Sequence, residues 1–243
     1  MFPKFASTHS DFFSGMPFVK VQTYMDFDKR YYLVDLSYDI NEYSESMFML
    51  FGIDMPAAIQ KSVRKRQAEF LAGRIAASIG LSSIGRDKTQ VTIGKDRQPT
   101  WPQGIVGSIS HANDRALCIL SSNTQNVVGI DVEEFQSQEL VSAIGGHVLS
   151  DEECLKCDHY GLGDYLVVLI FSAKESIFKA YYPFVRTYFG FEIANFTSLD
   201  VRRNVLHFEL NDNFARHYNL PNFVEVQYVI SDKYCVTVVL EQR

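Results

Sequence analysis

No apolar run in this chain approaches the roughly 20 residues needed to cross a bilayer, so a membrane-spanning protein is not expected. Cysteine is scarce: four in 243 residues, at Cys118, Cys154, Cys157 and Cys235. That is too few for a disulfide scaffold. Cys154 and Cys157 form a lone C-x-x-C with His159 two residues on. A zinc site would need further ligands at suitable spacing, so reduced thiols are the plain reading and a metal or redox pair the alternative. An excess of positive charge is also missing. Twenty-nine acids against 23 Lys and Arg leave a net charge of -6, which argues against broad nucleic-acid binding. There is no low-complexity tract, Gly/Ser linker or long charge block. Met1-Phe2-Pro3-Lys4-Phe5 lacks the basic-then-apolar layout of a secretory signal. A cytoplasmic protein is expected.

What the chain does have is core-forming material: 47% hydrophobic residues, including 19 Phe and 13 Tyr, against 21% charged. Such a chain is not disordered. Strands are expected at Phe18-Val19-Lys20-Val21 and Tyr31 to Leu36, then at Val91 to Ile93, Gly107 to Ser110, Ala116 to Leu120 and Val127 to Asp131. A helix is expected after Asp54 as N-cap, with Pro56 in its first turn, running to Ile79 with Gly80 as its stop. A second should span Tyr165 to Tyr181 and stop before Pro183, followed by strands at 196–201, 205–210, 223–230 and 234–240. Helix-then-strands occurs twice. The expected fold is α+β: two pseudo-symmetric α/β halves, 1–130 and 131–243, with the active site in the cleft between them.

Two segments carry the chemistry. In Val128-Gly129-Ile130-Asp131-Val132-Glu133 an apolar run ends on two carboxylates at alternate positions, which a strand places on one face. In Phe171-Ser172-Ala173-Lys174-Glu175-Ser176-Ile177-Phe178-Lys179, two lysines and an acid fall within about two turns of a helix. Three acids for a hard cation and two lysines for phosphate oxygens suit metal-assisted chemistry on a phosphate ester. Each segment has a plainer reading: an acidic strand end in water, and a surface i, i+4 pair between Glu175 and Lys179.

Arg66 and Arg74 lie eight apart on the first helix and so point to roughly one side. Both are suited to phosphate, or else belong to a solvated face with Arg64 and Lys65. Gly73 weakens that helix, which close packing or a ligand would explain. Lys95 and Arg97 sit in a turn-rich loop, Gly94 to Pro102, able to offer charge and backbone N–H groups to an anion. His111 ends the strand Gly107-Ser108-Ile109-Ser110-His111 and is either structural or a phosphate ligand.

Together these segments resemble the 4′-phosphopantetheinyl transferase superfamily, in its larger two-lobed, Sfp-type branch and within it the enterobactin-synthetase component D group. The family pattern is (V/I)-G-(I/V)-D-x-E, about forty residues, then (W/F)-S-x-K-E-(A/S)-x-x-K. Gly129, Asp131, Glu133, Phe171, Ser172, Lys174, Glu175, Ser176 and Lys179 match it, with Phe171 in place of the commoner Trp and 40 residues from Asp131 to Phe171. Arg66 to Arg74, Gly94 to Gly104, and Gly107 to His111 match further blocks in order.

The resemblance implies transfer of 4′-phosphopantetheine from coenzyme A to a serine of an acyl, aryl or peptidyl carrier protein, releasing adenosine 3′,5′-bisphosphate. It implies Mg²⁺, with Mn²⁺ as a substitute, held by Asp131, Glu133 and Glu175. Coenzyme A would meet Arg66, Arg74, Lys95, Arg97, Ser110 and His111, with Lys174 and Lys179 facing the pyrophosphate and Asp131 near it. Glu175 and Lys179 are the catalytic pair, Glu175 taking the serine proton. The likeness points to siderophore or other non-ribosomal peptide synthesis, and a monomer is expected. Two alternatives stand beside this reading: a metal-dependent phosphodiesterase or nucleotide hydrolase using the same acids, and a non-catalytic coenzyme A-binding module.

Overall fold

A computed structural model describes residues 2, 4–8, 19–87, 89–135, 141 and 145–243. Phe18, expected to open a strand, lies outside them. The chain divides into two compact units, Pro3–Asn126 and Val127–Arg243, the latter with Met1–Phe2.

The strands of the first unit are β1 (Phe5–Thr8), β2 (Val19–Asp26), β3 (Tyr32–Tyr38), the short β4 (Thr92–Ile93) and β5 (Pro99–Thr100), β6 (Val106–Ala112) and β7 (Arg115–Ser121). Five of them form an antiparallel sheet in the order β1-β2-β3-β7-β6, while β4 and β5 pair with each other. Its helices are α1 (Ser46–Leu50), α2 (Ala57–Gln60) and α3 (Arg64–Ser83). Helix α3 buries Ala68, Leu71, Ala72, Ile75, Ala76 and Leu81. Small residues at three- and four-residue spacing let it lie close to β3 and β7.

The single helix expected from Asp54 to Ile79 is in fact two. Pro56, not Asp54, caps α2. The chain then breaks before α3, whose N-cap Val63 is extended. Ser62 Oγ donates to Ile59 O at 2.6 Å, and Gln67 Nε2 bridges Gln60 O and Ser62 O at 3.0 and 3.2 Å, so side chains satisfy the carbonyls freed at the break. Gly80 is not a stop. It lies inside α3, where a Cβ would stand 2.5 Å from Leu120 Cδ2, so it is there for close approach to β7.

The second unit holds β8 (Asn126–Glu134, its first residue belonging to the first unit), α4 (Asp151–Tyr160), α5 (Asp164–Val185), β9 (Ala194–Asp200), β10 (Val205–Leu210), α6 (Asp212–Tyr218), β11 (Phe223–Ile230) and β12 (Tyr234–Gln242). Its sheet runs β8-β12-β11-β10-β9. Helix α4 starts on a capping box: Ser150 Oγ accepts from Glu153 N, and Glu153 Oε2 accepts from Ser150 N. Helix α5 buries Leu166, Leu169, Ile170, Ala173, Ile177 and Tyr181. It does not stop before Pro183 but continues to Val185 and ends on Arg186 in the left-handed region (φ 55°). A proline in the last turn costs one hydrogen bond and leaves the helix intact up to it.

The two units share a plan. A strand leads to a long helix, and the chain returns as strands, the last of which lies beside the first. β7 thus pairs next to β3, and β12 next to β8. This is an α+β protein with two similar sheet-and-helix halves. No helix among the described residues is long and apolar enough to cross a membrane.

Candidate active site

In the first unit the alternation of β6 buries Ser108 and Ser110 on one face and turns Ile109 and His111 to the other. Ile109 meets α3 at Gly73, where a Cβ would stand 3.0 Å from Ile109 Cγ2. Close packing therefore explains that glycine. One turn earlier on α3, Glu69 reaches His111, with Oε2 3.8 Å from Nδ1. Arg66 completes the group, its Nη1 2.7 Å from His111 Nε2 and 3.4 Å from Glu69 Oε2. The arginine is 45% and the histidine 29% exposed, so two groups suited to an anion face solvent over a carboxylate that orients them.

The other expected phosphate ligands stand apart from this group. Arg74 lies half-buried with its guanidinium over the Phe70 ring (4.4 Å to the centroid) and Nη2 donating to Thr92 O at 3.3 Å. Burial lowers its pKa to about 10. Lys95 and Arg97 are exposed in the tight turn joining β4 and β5, with Arg97 at φ 67°. Ser110 is buried in the sheet.

In the second unit the geometry follows from one contact. A Cβ on Gly129 would stand 2.0 Å from Ser176 O, so α5 lies against β8 at a distance that only glycine permits. Ser176 Oγ donates to Thr237 O at 3.0 Å and lies 2.7 Å from Thr237 Oγ1, and Ser172 Oγ lies 2.9 Å from that same hydroxyl, fixing α5 on β12. Glu175 and Lys179, on either side of Ser176, are thereby held near Asp131 and Glu133. Lys179 Nζ donates to Asp131 Oδ1 at 2.5 Å, and Asp131 is buried.

The acids repel one another. The Glu133 carboxyl is pushed up to about 8, by burial first and then by the Asp131 charge, with Lys179 pulling down and Glu175 adding to the rise. Burial also raises Glu175, Lys179 lowers it, and Asp131 raises it further. Three mutually repelling carboxylates are hard oxygen donors whose charge a divalent ion would neutralise, so the donor chemistry fits Mg²⁺. Among the described residues, no three such side chains converge tightly enough to hold an ion as they stand.

Lys174, expected beside Lys179 at a pyrophosphate, is placed otherwise. Its ammonium is buried, donates to Val148 O at 2.9 Å, and pairs with Glu153 at 2.7 Å (Oε1) and 2.9 Å (Oε2). Glu153 is itself buried. The S-x-x-E spacing from Ser150 was the signal that it belongs to a helix start. Beside Glu175, a small pocket is lined by Lys174, Ile177, Phe178, Tyr188, Phe189 and Phe191. The C-x-x-C lies on α4 with Cys154 exposed and Cys157 buried, and all four cysteines are free thiols.

Comparison with known proteins places the chain. Residues 55–121 match the 4′-phosphopantetheinyl transferase N-terminal domain, and residues 127–239 match the 4′-phosphopantetheinyl transferase superfamily. Enterobactin synthase component D of Escherichia coli K12 is 37% identical over 171 residues, 70% of this chain and 80% of that protein. The chain belongs to the 4′-phosphopantetheinyl transferase superfamily. Enterobactin synthase component D of Salmonella typhi is 39% identical over 150 residues, 61% of this chain and 62% of that relative. The 4′-phosphopantetheinyl transferase Npt of Nocardia iowensis is 31% identical over 159 residues, 63% of this chain and 71% of its own. Both clusters described above lie inside the matched ranges of this phosphopantetheinyl transferase.

Proposed function

We propose that this chain transfers the 4′-phosphopantetheine arm of coenzyme A to a serine of an apo carrier protein, releasing adenosine 3′,5′-bisphosphate, in siderophore or related non-ribosomal peptide synthesis. The observation that carries the reading is the approach of α5 to β8 at Gly129, which sets Glu175 and Lys179 beside Asp131 and Glu133. Attack of a neutral hydroxyl on a phosphate diester needs charge neutralisation and alignment more than covalent help.

In this mechanism Glu175 accepts the serine proton. Burial raises its pKa toward the working range of a general base. Lys179, tied to Asp131 but a quarter exposed (25%), offers positive charge to the pyrophosphate as the leaving group departs. Arg66 and His111 receive the 3′-phosphate, with Lys95, Arg97, Arg74 and the Ser110 strand around the nucleotide. Asp131, Glu133 and Glu175 would hold Mg²⁺, or Mn²⁺ in its place. When bound, the ion supplies neutralisation of the pyrophosphate charge. The apolar pocket beside Glu175 suits the uncharged pantetheine arm. The protein works as a monomer in the cytoplasm.

Intact-mass measurement of an apo peptidyl or aryl carrier protein incubated with this protein, coenzyme A and Mg²⁺ tests the reading. The expected result is a gain of about 340 Da that a chelator abolishes. Hydrolysis of coenzyme A with no gain on any carrier type would replace the reading with a hydrolase.

A further inference from the structure

The buried pair Lys174–Glu153 stands next to the catalytic helix positions, and although Lys174 lines the small pocket beside Glu175, its ammonium is turned to Glu153 and Val148. A lysine ammonium has three N–H groups. Here three oxygens lie within bonding distance of it: Val148 O at 2.9 Å, Glu153 Oε1 at 2.7 Å and Glu153 Oε2 at 2.9 Å. Only 1% of the side chain is exposed, against 25% for Lys179. Its donors are committed and its surface is covered.

Glu153 is committed in the same way. Its Oε1 accepts from Phe196 N at 2.6 Å and its Oε2 from Ser150 N at 2.8 Å, besides both contacts with Lys174. One carboxylate thus joins three elements: the start of α4, strand β9 and helix α5. Adjacent helical residues project about 100° apart, so pinning Lys174 also sets the direction in which Glu175 leaves the helix. The hydroxyl network at Ser172, Ser176 and Thr237 holds α5 on β12. The ion pair holds it from the side of α4 and β9.

We infer that Lys174 and Glu153 are positioning residues for phosphopantetheinyl transfer: the pair fixes the roll of α5, and with it the Glu175 carboxylate, and the Lys174 ammonium serves that pairing rather than the phosphates of coenzyme A. This rests on the proposed transfer reaction and assigns Lys174 a role different from that of Lys179.

The test is a double-mutant cycle with Lys174→Met, Glu153→Gln and the two combined, reading kcat and KM for coenzyme A in the carrier assay, with amide exchange at Phe196. Each single variant is expected to lower kcat by about 10- to 100-fold with KM within about threefold, and the double variant to fall no further than the worse single. Phe196 N–H should exchange faster in all three. Two results would overturn the inference. One is a Lys174→Met variant whose KM rises about tenfold or more at unchanged kcat while Glu153→Gln is neutral, the pattern of a substrate-binding lysine. The other is unchanged kcat and Phe196 exchange throughout. Should Lys174→Met fail to fold, Glu153→Gln, of equal size, carries the test by the same split. If the wild-type protein transfers nothing, the proposed reaction fails, and Phe196 exchange in the variants still decides whether the pair clamps α5.

Discussion

The two units use one plan, a long helix on a five-stranded sheet, but place their charges differently. In the first, Arg66 and His111 sit at the surface of α3 and β6, and apart from Gln67 the residues that α3 buries are apolar or small. In the second, Asp131, Glu153 and Lys174 are among the most buried side chains. Exposed charge can meet a large anionic ligand without prior desolvation, which suits recognition. Charge held in a dry interior keeps its direction and its perturbed pKa, which suits chemistry. The contrast is the one expected if, as proposed, the first unit binds and the second reacts.

Two substitutions would break that division most directly. Glu175→Gln removes the proposed proton acceptor while keeping its volume. It should lower kcat by at least about 10³-fold and leave coenzyme A affinity within about threefold. Arg66→Ala should do the reverse, weakening coenzyme A binding by roughly 10- to 100-fold with little change in kcat, because a charged hydrogen bond to phosphate is lost in ground and transition states alike. Steady-state kinetics with calorimetry of coenzyme A separates them. Equal losses of kcat in both variants would end the distinction.

The glycines at the two helix–sheet contacts give the next largest contrast. At Gly129 the obstacle is backbone, Ser176 O at 2.0 Å from an added Cβ, with Ala180 N at 2.7 Å. At Gly73 it is the tip of one side chain, Ile109 Cγ2 at 3.0 Å. Gly129→Ala must push α5 off β8 and should cost about 3 kcal/mol or more. Gly73→Ala gains up to about 1 kcal/mol of helix propensity against a small shift of Ile109, so its net effect should lie within about 1 kcal/mol of zero. Urea denaturation of the two variants reads the difference directly. A Gly129→Ala protein as stable as wild type would mean that α5 can sit further from β8 at no cost, and the account of the site would lose its foundation.

Much of this was legible in the chain because it is local. The alternation of Asp131 and Glu133, and the spacing of Glu175 and Lys179, are set by strand and helix period. The strands 205–210 and 223–230 stand where β-branched and aromatic runs put them. Punctuation was less legible. Gly80 and Pro183 both read as helix stops, yet one is a packing glycine in mid-helix and the other a last-turn proline. Whether a glycine ends a helix or admits a neighbour depends on what packs there, and Leu120 is 40 residues away. The burial of Lys174 and Glu153 was illegible for the same reason. Nothing in K-E-S or D-E-E tells which charge is buried until helix α4 is folded against α5.

The smallest expected effect is a pH signature of the buried acids. With its carboxyl raised to about 8, first by burial and then by Asp131, Glu133 stays protonated in the folded protein where the unfolded chain has already lost the proton. The unfolded state therefore binds fewer protons between about pH 4.5 and about 8, and stability falls as pH rises through that window. The contribution is complete below the ordinary glutamate range and gone above about 8. Its slope is at most about 1.4 kcal/mol per pH unit, and less because Glu133 is partly in contact with water. Other carboxylates titrate over the acid part of this range, so the measure is a difference: thermal midpoints of wild type and Glu133→Gln in chelator, from pH 5 to 8.5. The variant should lose less stability across the range. Mg²⁺ binds the ionised form and releases the proton, so it should raise the wild-type midpoint more at pH 8 than at pH 6 and have little such bias in Glu133→Gln. Parallel pH curves for the two proteins would mean that Glu133 ionises as freely folded as unfolded, and the contrast between a unit of exposed charge and a unit of buried charge would have to rest on Asp131, Glu153 and Lys174 without it.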